Sequence, residues 1–268
     1  MKKFFKSLSL PALALVIYIV VQSIVLSVVA VIAKITGSPM SVGAMSAVLI
    51  ISSVITAFIL MTVKKFGLRL SFSSIGCSPQ MLVLSITAAI LGMFATDLAN
   101  EQLNLKNILE EQFIGMSSNI YGILAISLVG PVMEEILFRG AIMSPMLRKG
   151  IHPWLVIVFS ALVFGIIHAN PAQIPFAFIV GVILAIIYYK TGSLVGSSIC
   201  HIINNSMSVY LMNRYGKELK DIKWENILGG TTVAYTVMAV CAALSVWLLV
   251  IFWKKQDGNR FLVEENQQ

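Results

Sequence analysis

Apolar runs of close to 20 residues recur along this chain, and a helix needs about that many to cross the hydrocarbon of a bilayer at 1.5 Å per residue. They lie at roughly 9–33, 42–63, 81–98, 117–139, 153–169, 173–189, 193–212 and 231–253. Such runs leave little choice of architecture. Inside lipid every backbone N–H and C=O has to be satisfied within its own segment, so the runs predict an all-α, polytopic bundle of about eight transmembrane helices. Composition agrees, with 58% of the 268 residues hydrophobic, 12% charged and a mean hydropathy of +0.90, well outside the range of soluble domains. No internal repeat or low-complexity linker interrupts the pattern, so 1–268 reads as a single integral membrane domain.

Lys2, Lys3 and Lys6 precede the first run in the manner of a signal peptide, but the run continues to Ala33. That is too long for a signal h-region and reads as an uncleaved anchor. With a cytoplasmic amino terminus, eight crossings place Lys64, Lys65, Arg69, Arg139, Arg148, Lys149, Lys190, Lys254, Lys255 and Arg260 on the same side, most of the 19 basic residues. The positive-inside rule therefore predicts a multi-pass protein of the cell membrane with both termini in the cytoplasm. The net charge of +7 is spread over loops and ends. It forms no aromatic-lined stripe, which fits anionic lipid headgroups as partners and argues against nucleic acid. Cys77, Cys200 and Cys241 are solitary, as packing residues are. The segment 66–80 follows a basic cluster and reads as an amphipathic stretch on the cytoplasmic surface. Residues 213–230 read as a solvated outer loop of mixed sign, and the polar tail after Trp253 as frayed.

The polar residues inside the runs carry the chemistry. Glu134 and Glu135 are neighbours in the fourth run, where insertion scales charge about 2.5–3.5 kcal/mol for one acidic side chain at the helix centre. Two such costs point to a functional site within the membrane. Glu135 and Arg139 are four apart, which predicts an ion pair near the cytoplasmic interface. Successive helical residues point about 100° apart, so Glu134 is expected to face a different neighbour from Glu135 and to look into the bundle. His201 and Asn205 share a face of the seventh run, and His168 comes from the fifth, with Phe164 one turn earlier as packing. Asn204 is expected to point elsewhere, and His152, beside Pro153, to be interfacial. A carboxylate and an imidazole from separate helices hold and deprotonate a water, while a second imidazole and an amide donate to a developing oxyanion; these are the parts that peptide hydrolysis requires.

Glu134-Glu135-x-x-x-Arg139, Phe164-x-x-x-His168 and His201-x-x-x-Asn205 occur in this order within about 120–212. Together they resemble the motifs of the CPBP group of integral membrane peptidases, which includes the CAAX prenyl endopeptidases of the Ras-converting type. The resemblance implies a helical bundle around a polar cavity, in which Glu134 and His168 activate water, His201 with Asn205 stabilises the oxyanion, and Glu135 and Arg139 support the site. It implies a membrane endopeptidase acting on a lipidated protein or small secreted peptide near the membrane surface. Bacterial members resemble bacteriocin-processing or self-immunity factors, so a prenylated substrate does not follow.

Glu134, His168 and His201 would also form a His₂Glu set of the metalloendopeptidase kind, with an open fourth position for zinc. The pattern permits zinc without requiring it. There is no His-Glu-x-x-His helix and no thiolate ligand, and the reading taken is glutamate-driven hydrolysis without a metal cofactor. Two other classes use the same residues: a proton- or cation-coupled transporter, against which the lack of repeated halves counts, and a non-hydrolytic immunity or scaffold protein. One strain attends the peptidase reading. The run boundaries put Glu134 and His168 roughly 10–15 Å apart in depth, a gap that closes if the fourth helix runs past Met143 and the fifth is tilted or displaced.

Overall fold

The computed structural model describes residues 2–38, 40–63, 66 and 76–256. They form a short surface helix α1 (Lys2–Ser7) and then α2 (Ser9–Ile35), α3 (Val42–Thr62), α4 (Pro79–Gln102) and the short α5 (Glu110–Ser117). A continuous α6 (Ile120–Arg148) follows, and after it α7 (Pro153–Ile167), α8 (Ile174–Thr191), α9 (Leu194–Tyr215), α10 (Trp224–Leu228) and α11 (Thr231–Lys255). No strand occurs among the described residues.

A long helix thus stands at each of the eight predicted places. Six of them, α2, α3, α4, α6, α8 and α11, are long and apolar enough to cross a membrane. The other two fall short for different reasons. α7 has 15 residues, about 22 Å of rise, and α9 is long but carries His201, Asn204, Asn205 and several serines.

Helix starts follow local sequence. Ser41, Ser78, Asn119 and Ser193 each accept a backbone N–H from the first turn that follows, and Pro79 and Pro153 sit where a missing N–H costs nothing. Gly192, in the left-handed conformation at φ 62°, ends α8.

Contacts between connections sort the helix ends. At one end Lys149 donates to the Lys6 carbonyl, Arg148 to that of Phe66 and Gln256 to that of Gly76. Gly76 lies so close to the α8–α9 turn that a Cβ there would be 2.2 Å from the Thr191 carbonyl oxygen. At the opposite end Asn100 donates to the Ala172 carbonyl, Trp224 to Asp97, and Tyr235 to Gln102. The end of α1 and the end of α11 therefore share one end of the bundle, as alternating crossings require.

α8 is the most enclosed span and α2 and α11 the most peripheral. One apolar core joins α6, α7 and α8, and a second joins α4, α8, α9 and α11. Outward-facing Ile, Val and Leu of α2 and α11 suit a lipid surround. Small residues let helices close: a Cβ on Gly92 would be 2.6 Å from Ser245 Oγ, and that hydroxyl donates to the Ala88 carbonyl across α4 and α11.

Three expectations change, and two others fall mostly outside the described residues. Residues 213–230 are largely helical, and Trp224 is fastened to α4 by its indole N–H to Asp97 (2.9 Å) and its backbone N–H to Glu101 (3.2 Å). Arg139 is fully buried and Lys190 nearly so, and neither belongs to a loop. The surface stretch 66–80 and the polar tail lie mostly outside the described residues, at 67–75 and 257–268. Finally, α6 reaches Arg148, so Glu134 and His168 lie 14 and 15 residues from the same end of their helices, about 21 and 22 Å. The mismatch in depth came from ending the fourth span at Arg139.

Candidate active site

α6 is not one uniform helix. Residues Ala125–Val129 and Ile136–Met143 are π-helical, and between them Gly130–Glu135 is α-helical. Proline explains where the π turns fall. Pro131 and Pro145 lack an N–H and would crowd the carbonyls of Ser127 and Ala141 four residues earlier, and both carbonyls belong to the wider π turns. The two glutamates are presented from the short α segment between these loosened stretches.

Glu135 is fully buried and pairs with Arg139, also fully buried, at 3.0 Å. The pair sits in the protein core instead of at an interface. Arg139 further donates to the Gly181 carbonyl on α8 (3.0 Å) and lies 4.9 Å from the centre of the Phe164 ring on α7. One guanidinium thereby ties three helices together, with a charge-assisted bond and a cation–π contact.

His201 from α9 enters between the two carboxylates. Its Nδ1 is 3.1 Å from Glu135 Oε1 and its Nε2 is 3.6 Å from Glu134 Oε2. Glu134 and Glu135 thus meet the same neighbour, contrary to the 100° argument. That argument treats side chains as radial vectors, whereas a histidine offers nitrogens on two sides and two long glutamates reach around it. Exposure separates the two residues, Glu135 being sealed and Glu134 24% exposed, while on each the buried Oε2 has no hydrogen-bond partner.

Phe164 joins the second motif to the other two. Its ring, buried on α7, meets His168 edge-on at 4.8 Å and His201 at 5.6 Å, and packs on Phe138 at 4.9 Å. His168 closes α7, with Nδ1 2.7 Å from the Phe164 carbonyl oxygen. That carbonyl accepts only, so Nδ1 carries the proton and Nε2 presents a lone pair. Asn205 donates from Nδ2 to the Ile126 carbonyl at 3.1 Å, locking α9 to the first π turn of α6. Asn204, expected to face away, donates to Asn205 Oδ1 at 3.1 Å. His152, at the start of α7, is exposed and far along the helix from these groups.

Among the described residues no three His, Cys, Asp or Glu side chains are grouped so as to hold a metal ion. The conditional zinc set of Glu134, His168 and His201 is not assembled as ligands. Two features escaped sequence reading, the shared grip of both glutamates on His201 and the Phe164 bridge. Only the four-residue offset of Phe164 from His168 hinted at the second.

No curated protein and no solved structure matches the chain significantly. Residues 116–207, which contain all three motifs, match the family model described as type II CAAX prenyl endopeptidase Rce1-like. That match covers about a third of the chain, the part that builds this site, and marks it as similar to the Rce1-like CAAX prenyl endopeptidases.

Proposed function

We propose that this protein is an intramembrane endopeptidase that hydrolyses a peptide bond near the membrane surface, on a lipidated protein or a small secreted peptide, with its termini and the basic end of the bundle in the cytoplasm. The observation that carries the reading is the convergence of three motifs from α6, α7 and α9 within an endopeptidase-family domain. Glu134 is the general base. Its unpartnered Oε2 takes a proton from a water that His168 Nε2 holds by accepting its other hydrogen. The water oxygen attacks the scissile carbonyl carbon. The resulting oxyanion is met by the second N–H of the Asn205 carboxamide and, in the protonated ring, by His201 Nε2–H. As the tetrahedral species collapses, Glu134 returns the proton to the departing amine and the C–N bond breaks. Glu135 and Arg139 act through His201: the buried carboxylate accepts from Nδ1–H and turns Nε2 toward Glu134.

Purified protein in proteoliposomes is expected to cleave a membrane-delivered peptide. Glu134→Gln, which keeps the shape and removes the base, is expected to lower kcat by about 10²–10⁴-fold, with His168→Ala and His201→Ala comparably impaired and all three variants still folded. Undiminished cleavage by Glu134→Gln would refute the mechanism.

A further inference from the structure

We infer that Asn170, held by Asn107 on the strap between α4 and α5, is a positioning residue for His168; the inference rests on the hydrolytic reading of the site.

The loop 168–173 that joins α7 to α8 is short, and it leaves α7 by an uncommon route. Ala169, directly after His168, has φ 51°, in the left-handed region where a side chain costs roughly 1–2 kcal/mol. Strain of this kind persists where the surroundings over-determine the backbone. Here the surroundings are Asn170. Its side chain is fully buried with both polar atoms partnered: Nδ2 donates to Asn107 Oδ1 at 2.8 Å, and Oδ1 accepts the Ile108 backbone N–H at 3.2 Å. Its carbonyl accepts the N–H groups of Gln173 (2.8 Å) and Ile174 (3.1 Å), so the same residue opens α8. Asn100 adds a bond to the Ala172 carbonyl at 2.9 Å.

Among the described residues His168 has one polar tether, the carbonyl of Phe164 in its own helix. A C-terminal helix turn frays unless the chain beyond it is fixed. The bonds at Asn170 fix it, two residues further on, to a segment some 60 residues earlier in sequence. Neither Asn107 nor Asn170 reaches the reacting atoms. Their effect is to decide where Nε2 of His168 stands relative to Glu134, and a misplacement of about 1 Å at such a point costs on the order of 10²-fold in rate.

The test uses the full-length protein in proteoliposomes. Asn170→Ala is expected to lower kcat about 10²-fold with KM unchanged, and Asn107→Ala, on the exposed strap, to lower it by a smaller factor without loss of fold. Asn107→Asp keeps an acceptor oxygen for Asn170 and is expected to restore the parental rate. A second measurement is independent of turnover. The chain has only three histidines, so ring ¹³C-labelled histidine gives three NMR signals that His→Ala variants assign. Asn107→Ala and Asn170→Ala are expected to broaden or split the His168 signal and to leave that of His152 in place. A His168 signal unmoved in both variants overturns the proposal. A parent protein that cleaves nothing, with the His168 signal still responding, sinks the peptidase reading and leaves the positioning role standing.

Discussion

Glu135 and Arg139 set the most demanding energetic condition in the molecule. Both are wholly removed from water and from lipid, so each depends chiefly on the other for its neutralising charge. Removing either partner leaves an unpaired buried charge, which costs about 3–5 kcal/mol, while replacing both by apolar residues of similar volume is often neutral. Glu135→Leu and Arg139→Met are accordingly expected to lower the unfolding midpoint in detergent when made singly, and the double variant to recover most of the loss. The double variant is nonetheless expected to remain inactive, because His201 Nδ1 then has no acceptor to orient the ring. Recovery of cleavage along with stability would show that the pair does nothing for catalysis. Spacing alone told that Glu135 and Arg139 pair; it did not tell where, since four-residue spacing places two groups on one helix face and says nothing of what that face meets.

The elements were legible where hydropathy is continuous and illegible where chemistry interrupts it. α2, α3 and α11 fell within a few residues of the apolar runs because nothing polar breaks them. α6 was cut short at Arg139, since a charged residue normally marks the end of a span; here the charge is neutralised inside the protein and the helix continues to Arg148. The π turns at Ala125–Val129 and Ile136–Met143 had a signal in Pro131 and Pro145, which a hydropathy window does not weigh. The three motifs were readable as residues, but their meeting depends on how closely α7 and α8 approach. Gly165 and Gly181 set that distance: a Cβ on Gly165 would be 2.9 Å from the Ile174 carbonyl oxygen, and one on Gly181 3.0 Å from Phe164 Cδ1. Gly181 also supplies the carbonyl that holds Arg139. Gly181→Val is therefore expected to destabilise by about 1–3 kcal/mol through overpacking, and to depress kcat more than this loss of fold accounts for, because the displaced ring is the one that seats both histidines. Thermal unfolding and turnover measured on the same preparation check this, and a Gly181→Val protein that keeps full activity would show that Phe164 does not set the site.

The acidic residues divide the described part of the molecule by its ends, while basic residues stand at both, with Lys34, Lys106, Arg214, Lys217 and Lys223 among the acidic ones. Apart from Glu134 and Glu135, the described acidic residues are Asp97, Glu101, Glu110, Glu111, Glu218, Asp221 and Glu225, all on the end that carries α5 and α10. The opposite end carries Lys3, Lys6, Arg148, Lys149, Lys190, Lys254 and Lys255, with no acidic residue among the described positions. Anionic lipid attracts each basic residue near the membrane surface by about 1 kcal/mol, and retention of lysine and arginine in short loops follows the same sign. These signs support the proposed orientation, with the end that carries α1 and the α6–α7 turn in the cytoplasm and the α4–α5 strap and Asn170 on the far side. Single-cysteine labelling decides this. In a chain whose Cys77, Cys200 and Cys241 are replaced by alanine, Ser118→Cys is expected to react with a membrane-impermeant maleimide on intact cells, and Lys149→Cys only after permeabilisation; both positions are exposed. The reverse pattern would invert the protein in its membrane. It would also place the strap that fixes His168 in the cytoplasm, where a soluble partner could reach it.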